Sequence, residues 1–305
     1  MRAQVKMAKC GLAVLCADGP TRQAFPRIAS FLADYPVQCT ITMVRSGWCP
    51  WCEIFSDDMP AFACKSWRSH PQWYIHLSTT AAEEVGLWKD ADCPNFADAH
   101  AGWNIYSCWN VDRLHHLLKG LFKDHIWESI VGFLEGIYRQ EKGLGLMDEW
   151  YSTIPCFSNI HQFGDKLTHM KPWTGAEYKY MVKVWLAVLA PLRIWNPDNF
   201  KFIKSVTDFI LIASYHSHTE TTLKYLQDAL SGISSNIHLF LPYCKSHSMS
   251  KIPKIHSLLP YIKCMREIGC ADNSDTEICE AAHKNLLKDC YHSSNKVNCI
   301  PQMSR

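Results

Sequence analysis

The sequence predicts an α+β chain, predominantly helical, with a small β part near its start. Three observations carry this expectation. Residues 26–46 hold two short runs rich in Ile, Val and Thr around a proline, a composition typical of strands. From Asn110 onward, apolar residues recur at helical spacing over most of the remaining chain. Between these parts, residues 47–109 are rich in Cys, His, Trp and Asp and show no clean period, which suits an irregular insertion held by metal or by aromatic packing. The expected organisation is a partial β piece over 1–46, a Cys/His-rich knuckle insertion over 47–109, a helical body over 110–290 and a loose tail over 291–305.

The elements follow in order. Residues 1–20 carry little signal. Ile28–Ala33 reads as a strand that stops at Asp34, and the β-branched residues after Pro36 read as a second one. A short helix is expected near Ala81–Trp88. Leu114, Leu117, Leu118 and Leu121 recur at i, i+3, i+4 and i+7; Ile130, Leu134 and Ile137 continue the stripe, and Gly143 and Gly145 are expected to stop it. Further helices are expected over 175–190, 198–215, Thr219–Ile237 and Ile255–Met265. A last one should begin after Ser274-Asp275-Thr276, where side-chain oxygens can cap it.

At 305 residues, 48% hydrophobic and 20% charged, the chain is long and apolar enough for one or two packed domains and is not of the disordered class. The net charge of +2 announces no polyanion partner by itself. The charge is uneven, however. Residues 1–160 carry 14 basic and 17 acidic groups, and residues 161–305 carry 17 and 12. Between Lys245 and Arg266 stand five basic residues and no acid, so Lys251, Lys254, Lys263 and Arg266 are candidates to lie along phosphates; a solvated lysine-rich face is the plainer reading. Fifteen cysteines without a secretory signal imply an intracellular, reducing compartment, with thiols used for packing or metal. No apolar window is long enough to span a bilayer.

Four constellations could carry chemistry. Asp34, where a strand would end, is held yet exposed, as a Mg²⁺ ligand must be, although most such acids are turn formers. Cys49 and Cys52 form a Cys-x-x-Cys knuckle that lets two thiolates meet one tetrahedral zinc ion. His70 and His76 can complete it, with Cys39, Cys64 and Cys93 as rivals and apolar packing as the bland alternative. Asp112 and His115 share a helix face, and Asp-x-x-His can fix a histidine tautomer or supply metal ligands, or be the wet side of an amphipathic helix. Glu280, His283 and Lys284 share a face of the last helix, with Lys288 one turn on. A helix-borne Glu280 could serve a metal site begun by Asp34, and an ordinary Glu280–Lys284 pair explains the spacing as well.

The order of these pieces is more specific than any one of them. LADYPVQ, GWCPWC, VDRLHHLLKGLFKDH, KIPKIHSLLPYI and CEAAHKNLLKD followed by SSNK resemble, in order and rough spacing, the Plavaka group of fungal transposases. That group lies within the Kyakuja–Dileera–Zisupton lineage, allied to the CACTA transposases. The resemblance spans about residues 16–296. It implies a partial ribonuclease-H-like core with a large helical insertion and a Cys/His knuckle. It also implies three-carboxylate (DDE) chemistry, in which Mg²⁺ or Mn²⁺ activates a nucleophile for attack on a phosphodiester. By the same resemblance Asp34 matches the second Asp and Glu280 the final Glu, with Glu277 in reserve because only Glu280 places His283 at +3 and Lys288 at +8. Asp112 and His115 match the Asp-x-x-His element as supporting residues, and Cys49 and Cys52 match the knuckle.

The sequence departs from the pattern at the first Asp, since Asp18 is the only acid before Asp34. The expectation is therefore an N-terminally truncated, catalytically incomplete remnant of a DDE transposase. DNA transposon ends and a full-length transposase are its expected partners, no membrane is involved, and the nucleus is its expected location. Mg²⁺ or Mn²⁺ is expected at the acidic site and Zn²⁺ at the knuckle. The competing reading is a non-catalytic, zinc-stabilised module that binds nucleic acid or protein.

Overall fold

The computed structural model describes residues 2–26, 29–54, 62, 67–68, 79–84, 86–87, 105–138, 140–158, 173–192, 197–244 and 253–303. The chain divides into two compact units, neither of them continuous in sequence. Unit 1 is Met1–Asn110 with Ser250–Gly269, and unit 2 is Val111–Met249 with Cys270–Arg305.

Unit 1 opens with α1 (Arg2–Cys10) and an antiparallel hairpin, β1 (Leu12–Leu15) and β2 (Thr21–Ala24), in register Leu12 with Ala24 and Leu15 with Thr21. Asp18 and Arg22 join across its turn in a two-pronged ion pair of 2.7 and 2.5 Å. The hairpin lies largely in the stretch that carried least sequence signal, and it is the one sheet among the described residues.

Among the described residues, the strands expected over 26–46 are not there. Phe31 makes an isolated parallel bridge to Trp109, its ring edge-on to the indole at 5.2 Å. Tyr35–Thr42 is a helix, α2, rather than a second strand. Asp34 caps it by accepting from the Val37 N–H at 3.1 Å, Pro36 sits in its first turn, and Met43 closes it in a left-handed conformation. Those end signals prevail over the β-branched composition, because Gln38, Cys39 and Thr42 then share one buried face.

The remaining elements of unit 1 are α3 (Thr79–Glu84), where a short helix is expected, and two returning helices, α10 (Pro253–His256) and α11 (Tyr261–Glu267). Ile255, Leu258 and Tyr261 of the returning segment are fully buried.

Unit 2 is helical. Its first helix, α4 (Arg113–Trp127), is wound as a π-helix, and its C-cap amide, Glu128 N–H, reaches back to Lys123 O. Its most buried apolar side chains come in adjacent pairs, Leu117–Leu118, Leu121–Phe122 and Ile126–Trp127, spaced by four and then five residues as the wider winding requires. Trp127 and Phe122 both meet Trp185, at 5.7 and 5.0 Å between ring centres.

The helices α5 (Glu128–Tyr138) and α6 (Gln140–Ser152) follow, and α6 runs through Gly143 and Gly145, which the sequence reading took as a stop. Isolated glycines inside a helix cost only about 1 kcal/mol each relative to Ala, and buried Met147 and Tyr151 offset that on the far side of them. The helix α7 (Gly175–Leu189) starts on a capping box made by Thr174 and Glu177.

An antiparallel pair, α8 (Pro197–Ala213) and α9 (Glu220–Phe240), packs face to face in unit 2, with Phe202 stacked on Phe240 at 4.9 Å. Burying such side chains contributes roughly 1.5–3 kcal/mol apiece. The helix α12 (Thr276–His283) begins at its cap Asp275, as the Ser-Asp-Thr sequence predicts. No helix among the described residues is long and apolar enough to cross a membrane. Every described cysteine is a free thiol.

Candidate functional site

Each unit gathers one set of chemically capable side chains. In unit 1 the set is built on the Cys-Pro-Trp-Cys turn. Tyr35 of α2 fixes the approach to it: its hydroxyl accepts from the Gly47 N–H at 3.0 Å and donates to Trp48 O at 2.9 Å. Gly86 packs so closely on the Trp48 ring that an added Cβ would stand 2.0 Å from it, and its φ of +73° suits glycine alone. Arg68 is 3% exposed and clamps the turn from below, its Nε donating to Cys49 O and its N–H to Trp51 O, both at 2.9 Å.

Within this frame Cys49, Cys52 and His256 are all buried, with their donor atoms within 4.8 Å of one another. His256 Nε2 lies 3.1 Å from Cys52 Sγ, and the Trp51 N–H points at Cys49 Sγ at 3.3 Å. Burial raises the Cys49 thiol, but hydrogen bonding to Cys52 and to His256, with the charge of His256, outweighs it and holds the thiol well below its ordinary value.

Two soft thiols and an imidazole are a donor set for a metal such as zinc. One local feature fits that use: an amide aimed at a thiolate stabilises its charge. Of the sequence-predicted ligands, Cys49 and Cys52 are in the cluster, and His70 and His76 lie outside the described residues, as do the rivals Cys64 and Cys93. Cys39 is buried on α2 and is not in the cluster. The sequence reading missed His256, which comes from a segment 204 positions after Cys52.

In unit 2 the set joins the start of α4 to α12. Asp112 caps α4, is wholly buried and spends both oxygens: Oδ1 accepts from the His115 N–H at 3.2 Å and from Thr276 Oγ1 at 2.8 Å, and Oδ2 faces His115 Nδ1 at 2.6 Å. His115 Nε2 then meets Glu280 Oε1 at 3.0 Å. Burial raises the Asp112 carboxyl, but the His115 hydrogen bond, the charges of His116 and His115, and Thr276 hold it below its ordinary value.

Beside this relay, Arg113 is 5% exposed and pairs with Asp275 at 2.8 Å and Asp272 at 2.9 Å. Glu277, the reserve acid, is occupied by Lys179 and lies 3.9 Å from Arg113. Glu280 keeps 58% of its side chain exposed. The two acids thus differ: Glu277 is consumed in structural ion pairs, and Glu280 is presented to solvent with one oxygen anchored.

The structure therefore brings Asp112, His115 and Glu280 together in unit 2. His283 and Lys288 are exposed on the same helix and its continuation. Asp34 belongs to unit 1, where it caps α2. Of the candidate phosphate-binding residues, Lys251 lies outside the described residues, Lys254 is half-buried and Arg266 is exposed. Lys263 sits 5.1 Å above the Trp67 ring, a cation–π contact rather than a free cation.

The model of the Plavaka transposase family matches residues 2–130, less than half of the chain, and supports a transposase-related function. The matched stretch contains Asp34, Cys49, Cys52, Asp112 and His115; Glu280 and His256 lie beyond it. No curated protein and no solved structure matches the chain.

Proposed function

We propose that the chain is a DDE-transposase-derived protein that binds DNA and a divalent ion. In this reading it contributes a helical insertion and a final acidic helix to a ribonuclease-H-like core. A carboxylate role in holding Mg²⁺ or Mn²⁺ falls to Glu280 of unit 2, while Asp34 caps α2 in unit 1, and zinc at Cys49, Cys52 and His256 organises unit 1. The nucleus is the compartment in which such a protein would meet DNA.

The observation that carries the reading is the family match together with the exposed, anchored carboxylate of Glu280. Asp18 supplies no further carboxylate in this reading, because Arg22 already holds it with both prongs in an exposed hairpin turn. One carboxylate holds Mg²⁺ weakly, and two-ion phosphodiester chemistry needs a shared ligand.

The test is binding and cleavage by the full chain on a labelled duplex with Mg²⁺ or Mn²⁺. The expected result is salt-sensitive DNA binding and no nicking above background. Nicking that disappears in Glu280→Ala would show a complete enzyme. Loss of DNA binding on zinc removal, with Asp34→Ala and Glu280→Ala binding like the parent, would favour the second reading, a non-catalytic zinc-stabilised module, for which the Cys49–Cys52–His256 cluster speaks.

A further inference from the structure

We infer that Cys49 and Cys52 form a redox latch: hydrogen peroxide closes the two thiols into a disulfide, and the metal and the His256 segment are let go together. The inference rests on the zinc reading of the cluster and extends it to the regulation of that site. Its basis is where the three donors come from. Both sulfurs belong to one Cys-x-x-Cys turn, and the imidazole arrives from a segment 204 positions after Cys52.

The turn has ties of its own. The Cys49 N–H donates to Ile54 O at 3.0 Å, and Arg68 donates to Cys49 O and Trp51 O at 2.9 Å. These bonds bring the two cysteines to one side of the turn, so each thiol has the other as its neighbour. The His256 ring is tied differently. Its Nε2 meets Cys52 Sγ at 3.1 Å, and its Nδ1 has no hydrogen-bond partner among the described residues. Closing the sulfurs on each other therefore removes two of the three donors at once and strips the ring of its polar contact.

A zinc ion needs both sulfurs as thiolates, so metal and disulfide exclude each other. In the first step one thiolate attacks the O–O bond of the peroxide; an S–O bond forms, hydroxide leaves, and the product is a sulfenic acid. The second thiolate then attacks that sulfur; the S–S bond forms and the other oxygen leaves as hydroxide. Each sulfur gives up one electron, and the peroxide takes both. Cys49 is 4% exposed and Cys52 0%, which makes Cys49 the sulfur that reacts first. Hydrogen peroxide is little larger than water and suits so closed a site. Cys39, the buried thiol of α2, stands outside the cluster and is not the resolving partner.

The experiment is a hydrogen peroxide titration of the zinc-loaded full chain. Released zinc is read with a colorimetric chelator, and disulfides are mapped by mass spectrometry of proteolytic fragments. Zinc should leave in step with formation of a Cys49–Cys52 disulfide, and dithiothreitol with added zinc should restore the loaded form. In hydrogen exchange, 253–268 should open while the crosslinked 47–54 keeps its protection. Cys39→Ser should release zinc at the rate of the parent. Zinc retained while the exposed thiols Cys10, Cys156 and Cys279 oxidise overturns the latch and leaves the zinc reading standing. Zinc lost with Cys49 or Cys52 bonded to another cysteine, or oxidised beyond recovery by dithiothreitol, overturns it as well, and so does release abolished in Cys39→Ser. A reduced chain that takes up no zinc removes the zinc reading and the inference with it.

Discussion

Around the start of α4, single side chains have opposite acid–base consequences within a few ångströms. Asp112 has its carboxyl held below the ordinary 3.8. The folded state therefore binds fewer protons there than the unfolded chain does. Its contribution to stability is complete above 3.8 and is lost as pH falls through the folded value. Asp272 behaves alike: burial raises it, but Arg113 and His216 hold it down. Asp275 has the opposite sign, since burial outweighs the pull of Arg113 and raises it, so its share is complete below 3.8 and fades as pH rises. Asp112 should thus govern a visible part of the acid limb. Urea unfolding at a series of pH values from about 5 to about 2 should show the parent losing stability steadily, and Asp112→Asn should start lower and fall less steeply. Parallel slopes for the two proteins would mean that the buried carboxylate is not the titrating group.

At the scale of elements, the helices of unit 2 were legible because their periodicity and their ends agree. Thr219 is the clearest case: its hydroxyl accepts from the Thr222 N–H at 3.3 Å, the Thr222 hydroxyl accepts from the Thr219 N–H at 2.9 Å, and the stripe Leu223, Leu226, Leu230, Ile233 follows. Thr219→Ala should cost about 1 kcal/mol of unfolding free energy, measured by urea titration, since it strips one reciprocal cap from an otherwise intact helix. A loss well beyond that would place Thr219 in tertiary packing instead. In α2 the end signals and the composition disagree. Asp34 and Pro36 are start signals of equal quality, but Val37, Thr40, Ile41 and Thr42 are strand formers, and over eight residues composition drowned the cap. The π-winding of α4 was legible in part. The paired apolar residues at 117–118, 121–122 and 126–127 carry its wider spacing, but the i, i+3, i+4 stripe fits their first half equally well. At the candidate sites, Asp112 and His115 could be named from local spacing, and Glu280 from the family resemblance. Their convergence could not, because Thr276 meets Asp112 across 164 positions.

At the scale of the whole molecule, each unit is closed by a late segment that returns to an early one, and in unit 1 the Cys/His cluster lies at that closure. Cys49 and Cys52 come from the early turn, and His256 ends the short helix that carries Ile255 and precedes Leu258 and Tyr261, all three fully buried. This is also why sequence spacing pointed to nearer histidines: a ligand supplied by tertiary folding leaves no local pattern. A metal held there would tie together backbone separated by a very long loop, and binding energy of that kind is folding energy. Chelating the zinc-loaded chain should therefore release one zinc per chain by elemental analysis. In hydrogen exchange it should also raise exchange across 47–54 and 253–268 together, with the α8–α9 amides of unit 2 as the internal reference. His256→Ala and Cys49→Ser should each reproduce both effects without chelator. If the two segments stay as protected after chelation as before, the thiols and the imidazole are packing groups, and unit 1 is held by its apolar contacts alone.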